Sequence, residues 1–323
     1  MKTWKKALIG GAGLGIGVAG ALTARRVITN KLAALAIVRE TSEKKSGRKT
    51  KVSGSKKTPE ELAVIKEEAL SLEACKHDTV EITSYDGVKL VGHYFPAKKP
   101  KRIIIAMHGW RSAWNFDYAR YSEFFTKKNC SVLYVEQRGQ NASGGDYMGF
   151  GIIERYDCLH WAKYVAENIS AELPLYLFGV SMGAATVMMA SDLELPENVA
   201  GIIADCGYTS PKAIWKHVME KNLHIPYSFV SGEVDKAYKK YINVECGFSC
   251  ADSLSKTTIP VLFIHGTEDK FVPIEMTYEN YKACASKKEL LVIPGAGHVG
   301  CYRMDKERYE LCLGEFFKKN DKL

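Results

Sequence analysis

From Arg102 onward the chain alternates short, continuously apolar runs with stretches of helical periodicity, and that alternation constrains its fold more than any other feature. The runs "RIIIAM", "SVLYVE", "LYLF", "VAGIIAD", "PVLFI" and "ELLVI" lack the polar alternation of a strand with one wet face. Strands of this kind are covered on both sides, so helices must pack above and below a mostly parallel sheet. Helical stretches from about Ala113 to Lys128, Glu154 to Asn168, Met182 to Ser191, Ile274 to Ser286 and Asp305 to Lys319 supply that cover. Upstream, "DTVEITS" and "VKLVGHYF" flank Tyr85-Asp86-Gly87 and read as an antiparallel hairpin. The expected fold is an α/β domain with an eight-stranded, mostly parallel sheet. In such a sheet the chemistry lies beyond the carboxyl ends of the strands.

After "LYLF" comes Gly179-Val180-Ser181-Met182-Gly183, a G-x-S-x-G between a buried strand and an Ala-containing helix. Turning from strand to helix in so few residues forces the central residue into a strained conformation and leaves no room for neighbouring side chains. Ser181 is therefore the expected nucleophile. A serine hydroxyl needs a base within hydrogen-bond reach, and His298, on the glycine-rich turn "PGAGH" after the last strand, is the candidate. The base needs an acid to fix its tautomer. Asp269, in "HGTEDKFVP" after "PVLFI", is the first choice; Asp205, at the end of "VAGIIAD", and Glu268 compete with it. The backbone N–H of Met182 is one expected oxyanion donor and that of Trp110, in His108-Gly109-Trp110, the second, with His108 bracing that loop. No cofactor and no metal is implied.

The order Ser181, Asp269, His298, together with "SYDGVKL", "HGW" and "EQRGQNASGG" in sequence, resembles the α/β-hydrolases from about Asp78 to Phe317. It is particularly similar to their serine-hydrolase branch of esterases and acyl-peptidase-like enzymes that often carry an N-terminal membrane segment. That branch's D-x-R-G-x-G-x-S motif departs here to Glu136-Gln137-Arg138-Gly139-Gln140-Asn141-Ala142-Ser143. The resemblance implies a helical cap where residues 208–258 lie. Trp110, Trp114, Phe150 and Trp215 are the expected substrate-binding residues, lining an acyl pocket with Ile225, Tyr227, Phe229 and Tyr238; the alternative is that these aromatic and apolar side chains, Trp215 included, pack the cap onto the body.

The net charge of +8 resides in the leader: residues 1–74 hold 15 Lys and Arg against 7 Asp and Glu, leaving 30 of each sign beyond. A neutral body argues against a nucleic-acid partner and for a basic leader near an anionic surface. Ala7 to Ala24 is uncharged between Lys6 and Arg25, about long enough to span a bilayer. A signal peptide and a surface-lying tail are the other readings. "GIGVAG" within it also fits a dinucleotide-binding pattern, but no strand precedes it. Residues 1–38 are read as a membrane segment with its flank and 39–57 as a flexible basic linker. Residues 58–323 are read as the hydrolase domain, beginning with a helix capped by Thr58 that buries Leu62, Ile65, Ala69 and Leu72. Basic residues flanking the apolar segment lean toward a body on the cytoplasmic face. Nine cysteines without a CxxC pair read as reduced thiols.

The sequence thus predicts a serine hydrolase acting on carboxylic esters or related acyl substrates, small or lipid-like. The alternatives are an amide, peptide or thioester hydrolase on the same residues, and a membrane-tethered interaction protein that keeps the fold without catalysis.

Overall fold

The computed structural model describes residues 27, 31, 32, 34, 36–39 and 58–321. Its first complete element is helix α1 (Pro59–Glu73), started by a capping box in which Thr58 and Glu61 satisfy each other's backbone N–H groups. Ile65, Ala69 and Leu72 face inward; Leu62 continues the same stripe but sits in the first turn and is exposed, so burial on this face begins only at Ile65.

Among the described residues eight strands form one sheet in the order β1-β2-β4-β3-β5-β6-β7-β8. They are β1 (Asp78–Thr83), β2 (Lys89–Phe95), β3 (Arg102–Met107), β4 (Cys130–Glu136), β5 (Leu175–Val180), β6 (Val199–Asp205), β7 (Val261–Gly266) and β8 (Lys288–Ile293). Only the β1–β2 and β2–β4 pairings are antiparallel; the other five are parallel. The hairpin between β1 and β2 turns at Gly87, whose φ of 81° suits glycine.

Along β3 and β5 alternate side chains enter two separate cores, as a pleat of period two requires. Ile103, Ile105, Leu175 and Leu177 join the core under helices α4 (Glu154–Asn168) and α5 (Met182–Met189), with Trp161 and Ala184. Ile104, Ala106, Tyr176 and Phe178 join the opposite core, with Tyr118 of α2 (Trp114–Tyr118) and Phe124 of α3 (Ser122–Lys127). The stretch expected as one helix from Ala113 to Lys128 is thus broken, by a 3-10 turn at Ala119–Tyr121. The break goes with an anchor: the Tyr118 hydroxyl reaches the carbonyl oxygens of both Met107 and Phe178, at 2.9 and 2.8 Å.

Residues 208–258 are helical between β6 and β7, with α6 (Pro211–His217), a π-helical turn, α7 (Ser231–Ile242) and α8 (Cys250–Leu254). Helices α9 (Ile274–Ala283), α10 (Cys301–Met304) and α11 (Lys306–Asn320) complete the chain. All nine cysteines are free, seven of them buried.

No helix among the described residues is long and apolar enough to cross a membrane. Ala7 to Ala24, with its dinucleotide-like pattern, and residues 40–57 of the expected linker lie outside the described residues. The end of the expected membrane flank and the start of that linker need correcting. Ile37 is fully buried, Val38 makes a β-bridge with Tyr147, and Arg39 is tied to the body by hydrogen bonds to the carbonyls of Asn141 and Ser143, both 2.6 Å.

Candidate active site

Strand β5 ends at Val180 and α5 begins at Met182, so Ser181 alone makes the turn. Its φ of 55° and ψ of −113° lie where a residue with a Cβ is strained, at a cost of about 1–3 kcal/mol. The flanking glycines are required by space. A Cβ on Gly183 would stand 1.8 Å from the Met107 carbonyl oxygen, and one on Gly179 would stand 2.1 Å from that of Gly183. The Ser181 amide donates to the Asp205 carbonyl oxygen at 2.8 Å, fixing the turn to β6.

The Ser181 hydroxyl meets His298 Nε2 at 2.9 Å, and His298 Nδ1 meets Asp269 Oδ2 at 2.6 Å. Since the carboxylate can only accept, the proton on the ring is on Nδ1 and Nε2 faces the hydroxyl as an acceptor. The other Asp269 oxygen accepts the backbone N–H groups of Phe271 and Val272, both at 2.9 Å. Burial alone would raise the Asp269 carboxyl, but the charge of His298 and hydrogen bonds from His265 and His298 outweigh it and hold the group well below the usual carboxylate range. His265, inside β7, donates from Nε2 to the Val272 carbonyl at 2.9 Å, has Asp269 Oδ2 within 3.3 Å, and takes Thr277 at 2.6 Å on its other nitrogen.

The competing acids sit elsewhere. Asp205 is buried, and one of its oxygens accepts from Tyr309 at 2.8 Å. Burial pushes its carboxyl up despite that bond. Glu268 is exposed, and its backbone N–H joins Ala296. His298 rides on a loop that folds tightly over β7: a Cβ on Gly266 would come within 2.2 Å of the Ala296 carbonyl oxygen.

Among the described residues, Cys206, Asp269 and His298 form a group whose ligand-type atoms lie within 4.8 Å. The carboxylate and imidazole already bond one another, and burial pushes the Cys206 thiol well above its ordinary range, so the cluster is the Ser181 relay with a protonated thiol beside it.

The loop 108–112 passes beside Ser181, with a Cβ on Gly109 lying 3.4 Å from that of Ser181. His108 is buried and braces it, accepting the Gln137 N–H at 3.1 Å and donating to the Gly109 carbonyl at 2.8 Å. Burial lowers the basicity of this ring. Three further side chains brace the loop. Asp117 accepts from Gly109 N and the Ser112 hydroxyl, both at 2.8 Å; Gln140 accepts from Arg111 N at 2.6 Å; and Asn141 donates to the Ser112 carbonyl at 2.9 Å. The altered "EQRGQNAS" loop therefore supports the site. Its Glu136 caps the loop by accepting the N–H groups of Ala142 and Ser143 and holds His93 at 2.9 Å.

A cleft of about 790 Å³, open solvent at its mouth included, is lined in part by Ser181. Trp110, Phe150 and Trp215 line it, with Phe271 and the cap residues Ile214 and Met219. Phe150 is turned inward on a left-handed backbone (φ 55°), and buried Glu154 accepts the N–H groups on either side, Gly149 and Gly151, at 2.6 and 2.8 Å. Trp114 is not in the cleft. Helix α2 lies on the opposite face of the sheet, and there Trp114 stacks on His93 with ring centres 4.3 Å apart. Tyr227 and Tyr238 pack within the cap, Tyr238 accepting from Trp215 Nε1 at 3.2 Å, and Phe229 is exposed.

Comparison with known proteins agrees with this architecture. Residues 98–232 match a family model described as Serine aminopeptidase, S33. The uncharacterized protein YqkD of Bacillus subtilis is 24% identical over 252 residues, which cover 76% of this chain and 81% of that one. The α/β hydrolase domain-containing protein 17C of Xenopus tropicalis is 43% identical over 176 residues, 54% of this chain and 48% of that protein. Among solved structures, the Pyrococcus furiosus esterase Pf2001 superposes with a TM-score of 0.64 at 24% identity, over 83% of this chain and 96% of its own.

Proposed function

We propose that this chain, which has the α/β-hydrolase fold, is a serine hydrolase that cleaves carboxylic esters through an acyl-enzyme. The observation that carries the proposal is the continuous relay from Asp269 through His298 to Ser181, at 2.6 and 2.9 Å. In the first step Ser181 Oγ attacks the ester carbonyl carbon as its proton moves to His298 Nε2, and the carbonyl electron pair moves onto oxygen. The backbone N–H groups of Met182 and Trp110 hold that oxyanion; the first lies in the opening turn of α5, where helix N–H groups lack intrahelical acceptors. Collapse expels the alcohol, which leaves with the proton from His298. Water then repeats the sequence on the acyl-enzyme, releasing the acid and restoring Ser181. Asp269 keeps the imidazole in the productive tautomer throughout.

The cleft favours an ester over an aminoacyl substrate. An aminopeptidase must pair the ammonium group of its substrate, and an uncompensated ammonium in an apolar site is costly. The lining among the described residues contains no carboxylate; its polar side-chain groups are the hydroxyls of Ser181 and Tyr208 and the indole N–H groups of Trp110 and Trp215, which are bonded to the Ala36 carbonyl and the Tyr238 hydroxyl. The same site reads as accepting an uncharged, apolar acyl group, lipid-like or small. A panel of p-nitrophenyl esters, acyl thioesters and aminoacyl p-nitroanilides tests this: esters turn over fastest, whereas preference for the anilides identifies a peptidase.

Attachment to a membrane through Ala7 to Ala24, with the body on the cytoplasmic face, is part of the proposal and rests on the sequence. Membrane fractionation followed by protease protection tests it.

A further inference from the structure

The inner wall of the cleft is built partly from a segment remote in sequence from every other part of the site. Leu32 and Ala36 line it together with Ser181. Where described, residues 31–37 are helical, and the segment ends in the bridge between Val38 and Tyr147.

This segment is fastened to the loops that follow β3 and β4. On the loop after β3, Trp110 Nε1 donates to the Ala36 carbonyl at 2.9 Å and Arg111 Nη2 to the Val38 carbonyl at 2.8 Å. On the loop after β4, the Met148 N–H donates to the Ile37 carbonyl at 2.7 Å. The Arg39 amide donates to Asp146 at 2.8 Å, and its guanidinium takes the carbonyls of Asn141, Ser143 and Gly145. Ile37 is fully buried in the same core as Phe150 and Trp215. A tail lying loosely on the surface would not satisfy so many backbone groups or bury an isoleucine.

We infer that Leu32 and Ala36 are specificity-determining residues of the acyl pocket, which accepts extended apolar acyl chains laid between this segment and the cap. The inference rests on the esterase reading above. Ile214, Trp215 and Met219 of the cap line the same cleft, so an acyl chain bound to Ser181 contacts aliphatic and aromatic surface from both elements. Ala36 is the smallest side chain of that lining and Leu32 stands about one helical turn before it, so the sizes of these two set the room left for the chain. Each methylene admitted to or excluded from an apolar pocket changes discrimination roughly 10- to 200-fold.

The test uses the full-length protein with p-nitrophenyl butyrate and decanoate, comparing kcat/KM for the pair in the wild type, Ala36→Leu and Leu32→Ala. The decanoate-to-butyrate ratio is expected to fall about tenfold or more in Ala36→Leu and to rise in Leu32→Ala. Unchanged ratios in both folded variants, with an active wild type, would overturn the inference and leave the esterase reading standing. A wild type that cleaves neither ester would instead remove the esterase reading, and this inference with it. Should Ala36→Leu fail to fold, Leu32→Ala alone decides, because removing atoms at that position only enlarges the pocket.

Discussion

The Arg120 guanidinium donates to the Val299 carbonyl oxygen at 2.7 Å, and Val299 directly follows His298. Val299 has a φ of 56°, a conformation that a β-branched residue adopts only when its surroundings impose it. Arg120 is itself buried, so this contact holds the loop that carries the proposed base.

In the proposed mechanism Arg120 is accordingly a positioning residue. Arg120→Met is expected to lower kcat about tenfold through misplacement of His298, with a smaller change in KM. Arg120→Lys restores part of the loss. Equal kcat in Arg120→Met and wild type would show that the loop holds itself.

Asp269 and Asp205 separate by function. Asp269→Asn presents an amide where a carboxylate fixed the tautomer, and kcat is expected to fall by ~10⁴-fold with the fold intact. Asp205→Asn acts at a site that does not touch the imidazole, and its kcat stays within a few-fold of wild type. The reverse pattern would move the acid to Asp205.

Asp205 also makes a pH prediction. Its carboxyl is raised in the folded chain from an ordinary value of 3.8, mainly by burial. The folded state therefore holds the proton more tightly than the unfolded one. The associated stability is fully present below about pH 3.8 and is lost as pH rises through the folded value. Replacing Asp205 by Asn removes that loss, so the Tm of Asp205→Asn relative to wild type increases from pH 4 to pH 7. A constant difference across that range would mean that Asp205 titrates as it does in the unfolded chain.

The turn at Ser181 carries strain that can be read from two variants. Ser181→Gly relieves a conformation that Ser181→Ala retains, so the glycine variant is expected to be more stable by about 1 kcal/mol, after the entropy that glycine itself loses on folding. Gly183→Ala, with its Cβ 1.8 Å from the Met107 carbonyl, is expected to cost more than about 4 kcal/mol. Chemical denaturation of all three checks both expectations; equal stability of the two Ser181 variants would mean that the turn is unstrained.

What was legible in the sequence was what leaves a local trace. Buried strands, the D-G hairpin and the capping box at Thr58 are patterns within a few residues, and the structure contains all three. The juxtaposition of Ser181, Asp269 and His298 followed from one geometric rule about strand ends. Trp114 could not be placed because helical periodicity does not say which face of the sheet a helix covers; its side proved to be that of His93 and Tyr134. Asp117, Gln140 and His265 hold the site through contacts that no motif marks. The segment around residues 32–39 was invisible for the same reason. Its partners lie about 70 to 110 positions downstream, and next to an apolar stretch and a charged one it resembled a membrane flank.

Fluorophosphonate labelling, with the modified peptide located by mass spectrometry, addresses the central claim most directly, because the probe reacts with a serine only when a base has made its hydroxyl nucleophilic. The account predicts one adduct per folded chain, at Ser181, absent in Ser181→Ala and formed far more slowly in His298→Ala. Folded wild-type protein that takes no label, or takes it at another residue, would contradict it.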